Sequence, residues 1–87
     1  MLFIYVHTHP VDKCIADNQE KKLELGSQLQ GAFKEAGIKV LGNYAAPQEH
    51  TLFTIFETND FEALNEALIP LTTWGSARMI PVISIGE

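Results

Sequence analysis

Three things are scarce in this sequence of 87 residues: cysteine, basic side chains and long apolar segments. The single cysteine cannot form a disulfide within the chain, and the apolar start at residues 2–6 is too short for a signal peptide, so we expect a reducing, cytoplasmic compartment. Six basic and eleven acidic residues give a net charge of −5 without a basic cluster, which argues against binding to nucleic acid or an anionic membrane. No apolar segment approaches the ~18 residues of a membrane span.

Several motifs of known chemistry are absent as well. The sequence has no glycine-rich phosphate loop, no Ser/His/Asp triad order and no CxxC pair, which disfavours phosphoryl transfer and thiol redox chemistry. The length predicts one domain over residues 1–87 with a small core, burying about 60 to 65 per cent of the unfolded chain's surface. Association with a second copy would bury more.

The two halves of the chain share one order of predicted elements: strand, helix, strand. Strands are predicted at residues 2–9, 38–44, 51–57 and 79–85, and helices at residues 18–36 and from about residue 60. Residues 17–20 and 59–62 resemble capping boxes, and Gly37 is a natural residue to end the first helix. Pro70 is expected to kink or end the second helix, and Pro81 places the last strand at a sheet edge.

The order β-α-β-β-α-β predicts an α+β fold of the ferredoxin-like kind. In that fold a four-stranded antiparallel sheet has the strand order 4-1-3-2, and both helices cover one face. The predicted strands carry apolar side chains on both faces, and an apolar face of that size is rarely left in water. We therefore expect a homodimer in which two sheets pack face to face.

Strand alternation also assigns the side chains of the first strand to faces. His7 and His9 share one face with Phe3 and Tyr5, because successive side chains point to opposite sides of a sheet. We expect the alternate row to lie against the helices: Leu2, Ile4 and Val6.

The most specific feature is the segment His7-Thr8-His9-Pro10, where two imidazoles lie two residues apart at the end of a strand. Strand directions place other distinctive side chains at the same end of the sheet, including all three histidines and the only cysteine and tryptophan. The set is His7, His9, Cys14, Tyr44, Glu49, His50, Trp74 and Arg78. This segregation predicts a site at that end, between the helix ends and the sheet.

A metal site is one interpretation of the set. His7 and His9 supply two imidazoles, His50 opens the neighbouring strand and supplies a third, and Cys14 completes a His/Cys site if its loop folds back. A divalent transition metal such as zinc or copper fits these ligands. The alternative is structural, since strand-end histidines are often polar rim residues and a lone cysteine is often a small buried apolar residue.

A small-molecule pocket is the other interpretation. Trp74 would form a pocket wall, Tyr44 would hydrogen-bond a ligand, Arg78 would hold an anionic group, and Glu49 would accept a proton. Without a metal, a histidine can itself act as a general base, because its usual pKa lies near neutrality. The plainer alternatives are a packing role for Trp74 and Tyr44, a helix cap for Arg78, and a solvated turn position for Glu49.

The His-x-His segment and the hairpin from Gly42 to Thr51, GNYAAPQEHT, resemble segments of the dimeric α+β barrel superfamily, and more narrowly of a small uncharacterised bacterial and archaeal group within it. The resemblance covers nearly the whole chain and implies a ferredoxin-like domain that dimerises through its sheet. The superfamily includes monooxygenases, isomerases, haem-degrading enzymes, dehydratases and proteins with no known activity, so the fold does not select a function.

These patterns lead to two hypotheses of function. The first is a homodimeric domain with a histidine-lined pocket at one end of the sheet, which binds a metal ion or a small ligand, with or without catalysis. The second is a non-catalytic assembly or regulatory module whose barrel interior is packed by Phe3, Tyr5 and Phe53 with no room for a ligand. An open cavity lined by the histidines distinguishes the first from the second.

Overall fold

Four antiparallel strands form the sheet: β1 (Leu2–Thr8), β2 (Lys39–Ala46), β3 (Thr51–Glu57) and β4 (Ser76–Val82). Their order is β2-β3-β1-β4, which is the predicted order counted from the other edge. The helices are α1 (Gln19–Ala36), α2 (Phe61–Ala67) and the short α3 (Ile69–Thr72). This computed structural model describes residues 1–10, 18–72 and 75–86. The predicted α+β class and the order of strands and helices are confirmed.

The helices begin and end at capping residues that the sequence indicates. The Asn18 side chain accepts a hydrogen bond from the N–H of Lys21 at 3.0 Å, so α1 is capped one residue after the predicted Asp17, which lies outside the described residues. Gly37 ends α1 in the left-handed conformation, with φ 70°. Asp60 caps α2 through the N–H three residues further on. In the parts of the chain that the structure describes, no helix is long and apolar enough to cross a membrane.

β4 begins and ends three residues earlier than predicted. It pairs with β1 from Ser76 opposite Thr8 to Val82 opposite Leu2, so residues beyond 82 have no partner in β1. β4 therefore takes its limits from its neighbour. Pro81 lies on this edge strand, as expected for a residue without an amide donor.

Two other boundaries follow local geometry. α2 ends at Ala67, and the chain continues as α3, which contains Pro70, so the predicted interruption of this helix is confirmed. β2 contains an irregularity between Val40 and Gly42. These two residues pair with the consecutive residues Phe56 and Ile55 of β3, so β2 has one extra residue at this point.

The helices cover the face of β1 that was expected to point away from them. Phe3 and Tyr5 are 4% and 5% exposed and lie in the core, and the ring of Phe3 contacts that of Phe61 with centroids 5.6 Å apart. The row that was expected to face the helices is only half-buried, and it consists of Leu2, Ile4 and Val6. That prediction was wrong. Both rows are apolar, so the alternation along β1 does not say which of them the helices cover.

Candidate functional site

A cavity of about 840 Å³ lies between α1 and the helix-facing side of the sheet. α1 lines it with the apolar side chains of Leu25, Leu29 and Phe33, yet no residue of this helix is fully buried. These side chains are only partly covered because they border the cavity. This volume lies within the range of about 300 to 1,000 Å³ that small-molecule sites occupy.

The cavity has a polar end and an apolar body. His9 and His50 lie at the polar end, where β1 ends and β3 begins, next to the buried Thr51. Most of the remaining lining is apolar and comes from the sheet, from the residue before β2 and from the segment that follows α2: Ile38, Val40, Ala45, Leu52, Phe56, Leu68 and Leu71. An apolar wall with a few converging polar groups is the usual composition of a ligand pocket.

His7 lies beside this polar end and is fully buried. Its Nε2 donates a hydrogen bond to the backbone carbonyl of Leu71 at 3.1 Å, which places the proton of the neutral ring on Nε2. Burial lowers the pKa of His7 below its usual value, and the hydrogen bond to Leu71 opposes part of that effect. His7 is therefore neutral at pH 7 and ties β1 to α3.

His9 connects the row on β1 to the cavity. Its ring centroid is 5.8 Å from that of His7 and 5.4 Å from that of His50, which meets it edge-on. Burial lowers the pKa of His9, and repulsion from His7 and His50 lowers it further. A neutral imidazole at the cavity wall can accept a proton as well as donate a hydrogen bond.

His50 is held in a strained backbone conformation. It has φ 50°, and it alone among the non-glycine residues that the structure describes has a positive φ. Its N–H bonds to the carbonyl of Pro47 at 3.2 Å, and its own carbonyl accepts from the N–H of His9 at 3.1 Å. Its Nδ1 is buried without a hydrogen-bond partner in the described parts of the chain. Glycine would adopt this conformation at lower cost, so the imidazole is present despite the strain.

Gly75 fixes the position of the β1 end. A Cβ at this residue would overlap the carbonyl oxygen of Thr8 and lie 2.9 Å from the Cα of His9. Only glycine lets the start of β4 approach the backbone this closely. The pair of strands therefore holds His9 from both sides, with Gly75 on one side and His50 on the other.

Tyr5 is a candidate residue that the sequence analysis assigned to packing. It lines the cavity, and its hydroxyl is buried without a hydrogen-bond partner among the described residues. Burial raises the pKa of Tyr5, so the hydroxyl keeps its proton. The signal was available in the alternation of β1, since Tyr5 shares its face with His7 and His9.

The other predicted ligand-binding residues do not join the histidines. Tyr44 and Arg78 lie opposite Phe53 and Val6 in the strand pairing, on the sheet face away from the cavity, and both are exposed. Glu49 is exposed in the 3-10 turn Pro47–Glu49 and does not line the cavity. Cys14 and Trp74 lie outside the described residues.

The side-chain geometry supports the metal interpretation only in part. The three histidines lie side by side, as predicted, but no group of three His, Cys, Asp or Glu side chains within residues 1–10, 18–72 and 75–86 is arranged to hold a metal ion. One reason is that Nε2 of His7 is directed at the carbonyl of Leu71.

Comparison with known proteins gives a family and a fold. A family model described as a domain of unknown function, DUF3303, matches residues 1–87. Among solved structures, the crystal structure of SCO4226 from Streptomyces coelicolor A3(2) is similar, with a TM-score of 0.62, 14% sequence identity, and coverage of 97% of this chain and 100% of that chain. At that identity the likeness extends to the fold alone. No curated protein matches the chain.

The buried histidines predict a loss of stability on acidification. Both pKa values are lowered by folding, so the folded state resists protonation that the unfolded chain accepts near pH 6.5. The free energy of unfolding should therefore be highest above pH 6.5. It should fall as the pH drops below that value, by up to about 1.4 kcal/mol per pH unit for each imidazole. Urea unfolding between pH 5.5 and 7.5 measures this.

The matched variant is His7→Gln, which keeps a donor for the Leu71 carbonyl and removes one titrating group. Its stability should depend less steeply on pH than that of the wild type. An identical slope in the two proteins would contradict the assignment of His7 as a group that is neutral when folded.

The hydroxyl of Tyr5 predicts that Tyr5→Phe is stabilising in the ligand-free protein. A buried hydroxyl without a partner costs about 1 to 3 kcal/mol, and phenylalanine removes it while keeping the ring. Tyr44→Phe is the control, because the exposed hydroxyl of Tyr44 is hydrated and its loss should change the unfolding free energy by less than about 0.5 kcal/mol. Equal effects of the two variants in urea unfolding would refute the prediction.

Proposed function

The chain belongs to the DUF3303 family, a domain of unknown function, and we propose that it is a homodimeric domain that binds a small organic molecule in the cavity between α1 and the sheet. The observation that carries the proposal is the cavity of about 840 Å³ with His9 and His50 at one end. An apolar space of this size beside two imidazoles is suited to a ligand with an apolar body and a polar head.

Two features of the lining support a ligand over an unused void. The left-handed conformation of His50 and the buried hydroxyl of Tyr5 both lower stability, and both belong to residues that line the cavity. Unfavourable features of this kind cluster at binding sites, where contacts with the ligand offset them. If the ligand is also converted, His9 is the general base that we assign, because its neutral ring borders the space that the ligand fills.

A metal ion bound by His7, His9, His50 and Cys14 is the second candidate occupant. Its support is that the ring centroids of His7 and His50 lie 5.8 Å and 5.4 Å from that of His9, although no three ligands among the described residues are arranged to hold a metal ion. Elemental analysis of protein without a His-tag separates the two candidates. Stoichiometric zinc or copper that is lost in His7→Ala/His9→Ala would show that the occupant is a metal ion and not an organic molecule.

An assembly or regulatory module with a packed interior has less support. That function needs Phe3, Tyr5 and Phe53 to pack one interior, whereas Phe3 and Tyr5 lie in the core under the helices and Phe53 is exposed on the opposite face of the sheet.

The dimer is proposed from the sheet face that the helices leave open. Its centre is apolar and half-buried to exposed, whereas charged residues lie towards its ends, with Glu57 and Lys39 at one and Arg78 at the other. The apolar centre consists of Leu2, Ile4, Val6, Phe53, Ile55 and Ile80. A patch of this kind on an 87-residue chain is suited to a twofold contact with a second copy.

Ligand binding is tested by a pair of glycine substitutions in α1. Gly26 lines the cavity and Gly31 does not, and a Cβ at either position meets no atom within 4 Å. Gly26→Leu should fill cavity space and weaken binding of the probe decan-1-ol at least about tenfold, whereas Gly31→Leu should leave it within about twofold. Calorimetric titration measures both affinities.

Both leucines replace a glycine inside a helix, so both variants should keep or gain thermal stability. That shared gain separates loss of the cavity from loss of the fold. Decan-1-ol that binds Gly26→Leu as well as it binds the wild type would overturn the proposed site.

The dimer is tested by sedimentation equilibrium. The wild type should sediment at twice the 9.7 kDa mass of the chain, and Phe53→Glu should sediment as the monomer, because it puts a charge in the apolar centre of the open face. Leu23→Glu is the control, since Leu23 is an exposed apolar residue on α1. A wild-type monomer at micromolar concentration would contradict the dimer.

A further inference from the structure

The cavity differs from the rest of the protein in charge. The chain has eleven acidic and six basic residues, yet among the described residues no carboxylate lines the cavity. Two of the basic residues, Lys22 and Lys34, do line it from α1. Among the described residues the lining therefore carries a positive formal charge although the net charge of the protein is negative, which favours an anionic ligand and disfavours a cationic one.

The two lysines lie too far apart to serve one small head group. They are twelve residues apart on the same helix, residues 22 and 34, which corresponds to about 18 Å. Lys22 is in the first turn of α1, at the end of the sheet where β1 ends, and so shares the polar end of the cavity with His9 and His50. Lys34 is in the last turn, next to the apolar Ile38 and Val40.

We propose that the ligand is an apolar carboxylic acid, bound as its carboxylate, with the head group at Lys22, His9 and His50 and the apolar body along Leu29 and Phe33. Lys22 supplies the positive charge, and the imidazoles of His9 and His50 supply N–H donors, so the carboxylate exchanges water for charge-assisted hydrogen bonds. The inference rests on the proposed function and adds the chemical class of the ligand.

The experiment compares three probes of one chain length that differ only in the head group: decanoate, decan-1-ol and decylammonium. Calorimetric titrations at pH 7.5 and low salt give their affinities for the wild type. Decanoate should bind most tightly, and at least about tenfold more tightly than decylammonium, because the head groups have opposite charge in the same place.

The location of the head group is tested by neighbouring lysines. Lys22→Gln and Lys21→Gln change the net charge equally, but only Lys22 lines the cavity. Lys22→Gln should weaken decanoate about twofold to fivefold and leave decan-1-ol unchanged, whereas Lys21→Gln should change neither by more than about 1.5-fold. Added salt should reduce the advantage of decanoate over decan-1-ol.

The outcomes separate the two proposals. Decan-1-ol that binds the wild type and loses affinity in Gly26→Leu, together with equal affinities for decanoate and decylammonium, would refute the carboxylate and leave the cavity site standing. Equal effects of Lys22→Gln and Lys21→Gln on decanoate would refute Lys22 as its partner. A wild type that binds none of the three probes would refute the cavity site, and the carboxylate with it.

Discussion

The hydrogen bonding of β1 on both sides is the constraint on which the rest of the structure depends. β1 pairs with β3 along one edge and with β4 along the other, so its register is fixed at every residue and its side chains alternate without interruption. Phe3 and Tyr5 enter the core, and His7 and His9 continue the same row to the end of the sheet. A single strand thus supplies the core at one end and the imidazoles at the other.

The remaining elements hold the end of that row in place. Leu71 of α3 accepts the hydrogen bond of His7, Gly75 lies against the backbone at His9, and His50 bonds to the N–H of His9. Three separate segments therefore converge on the end of β1 and the residue that follows it. The same convergence desolvates His7 and His9, which lowers the pKa of each and favours the neutral form.

Much of this arrangement followed from the sequence, and the exceptions have physical reasons. Capping residues, proline positions and strand directions are local or topological signals, and they predicted α1, the edge position of β4 and the meeting of His7, His9 and His50. The face covered by the helices was mispredicted because both rows of β1 are apolar. Tyr44 and Arg78 were grouped with the histidines because strand direction gives the end of a sheet but not the face. The cavity itself depends on how far α1 stands from the sheet, a distance that no periodicity encodes.

α1 has a consequence for the way in which the cavity opens. The helix contains Gly26 and Gly31, and none of its eighteen residues is fully buried. Few buried contacts and two flexible backbone positions give a segment a low free energy of local opening. Local opening of this helix would widen the access to the cavity without disturbing the sheet. Any molecule that fills the cavity adds contacts to α1 and slows amide hydrogen exchange there more than in β1 or β3.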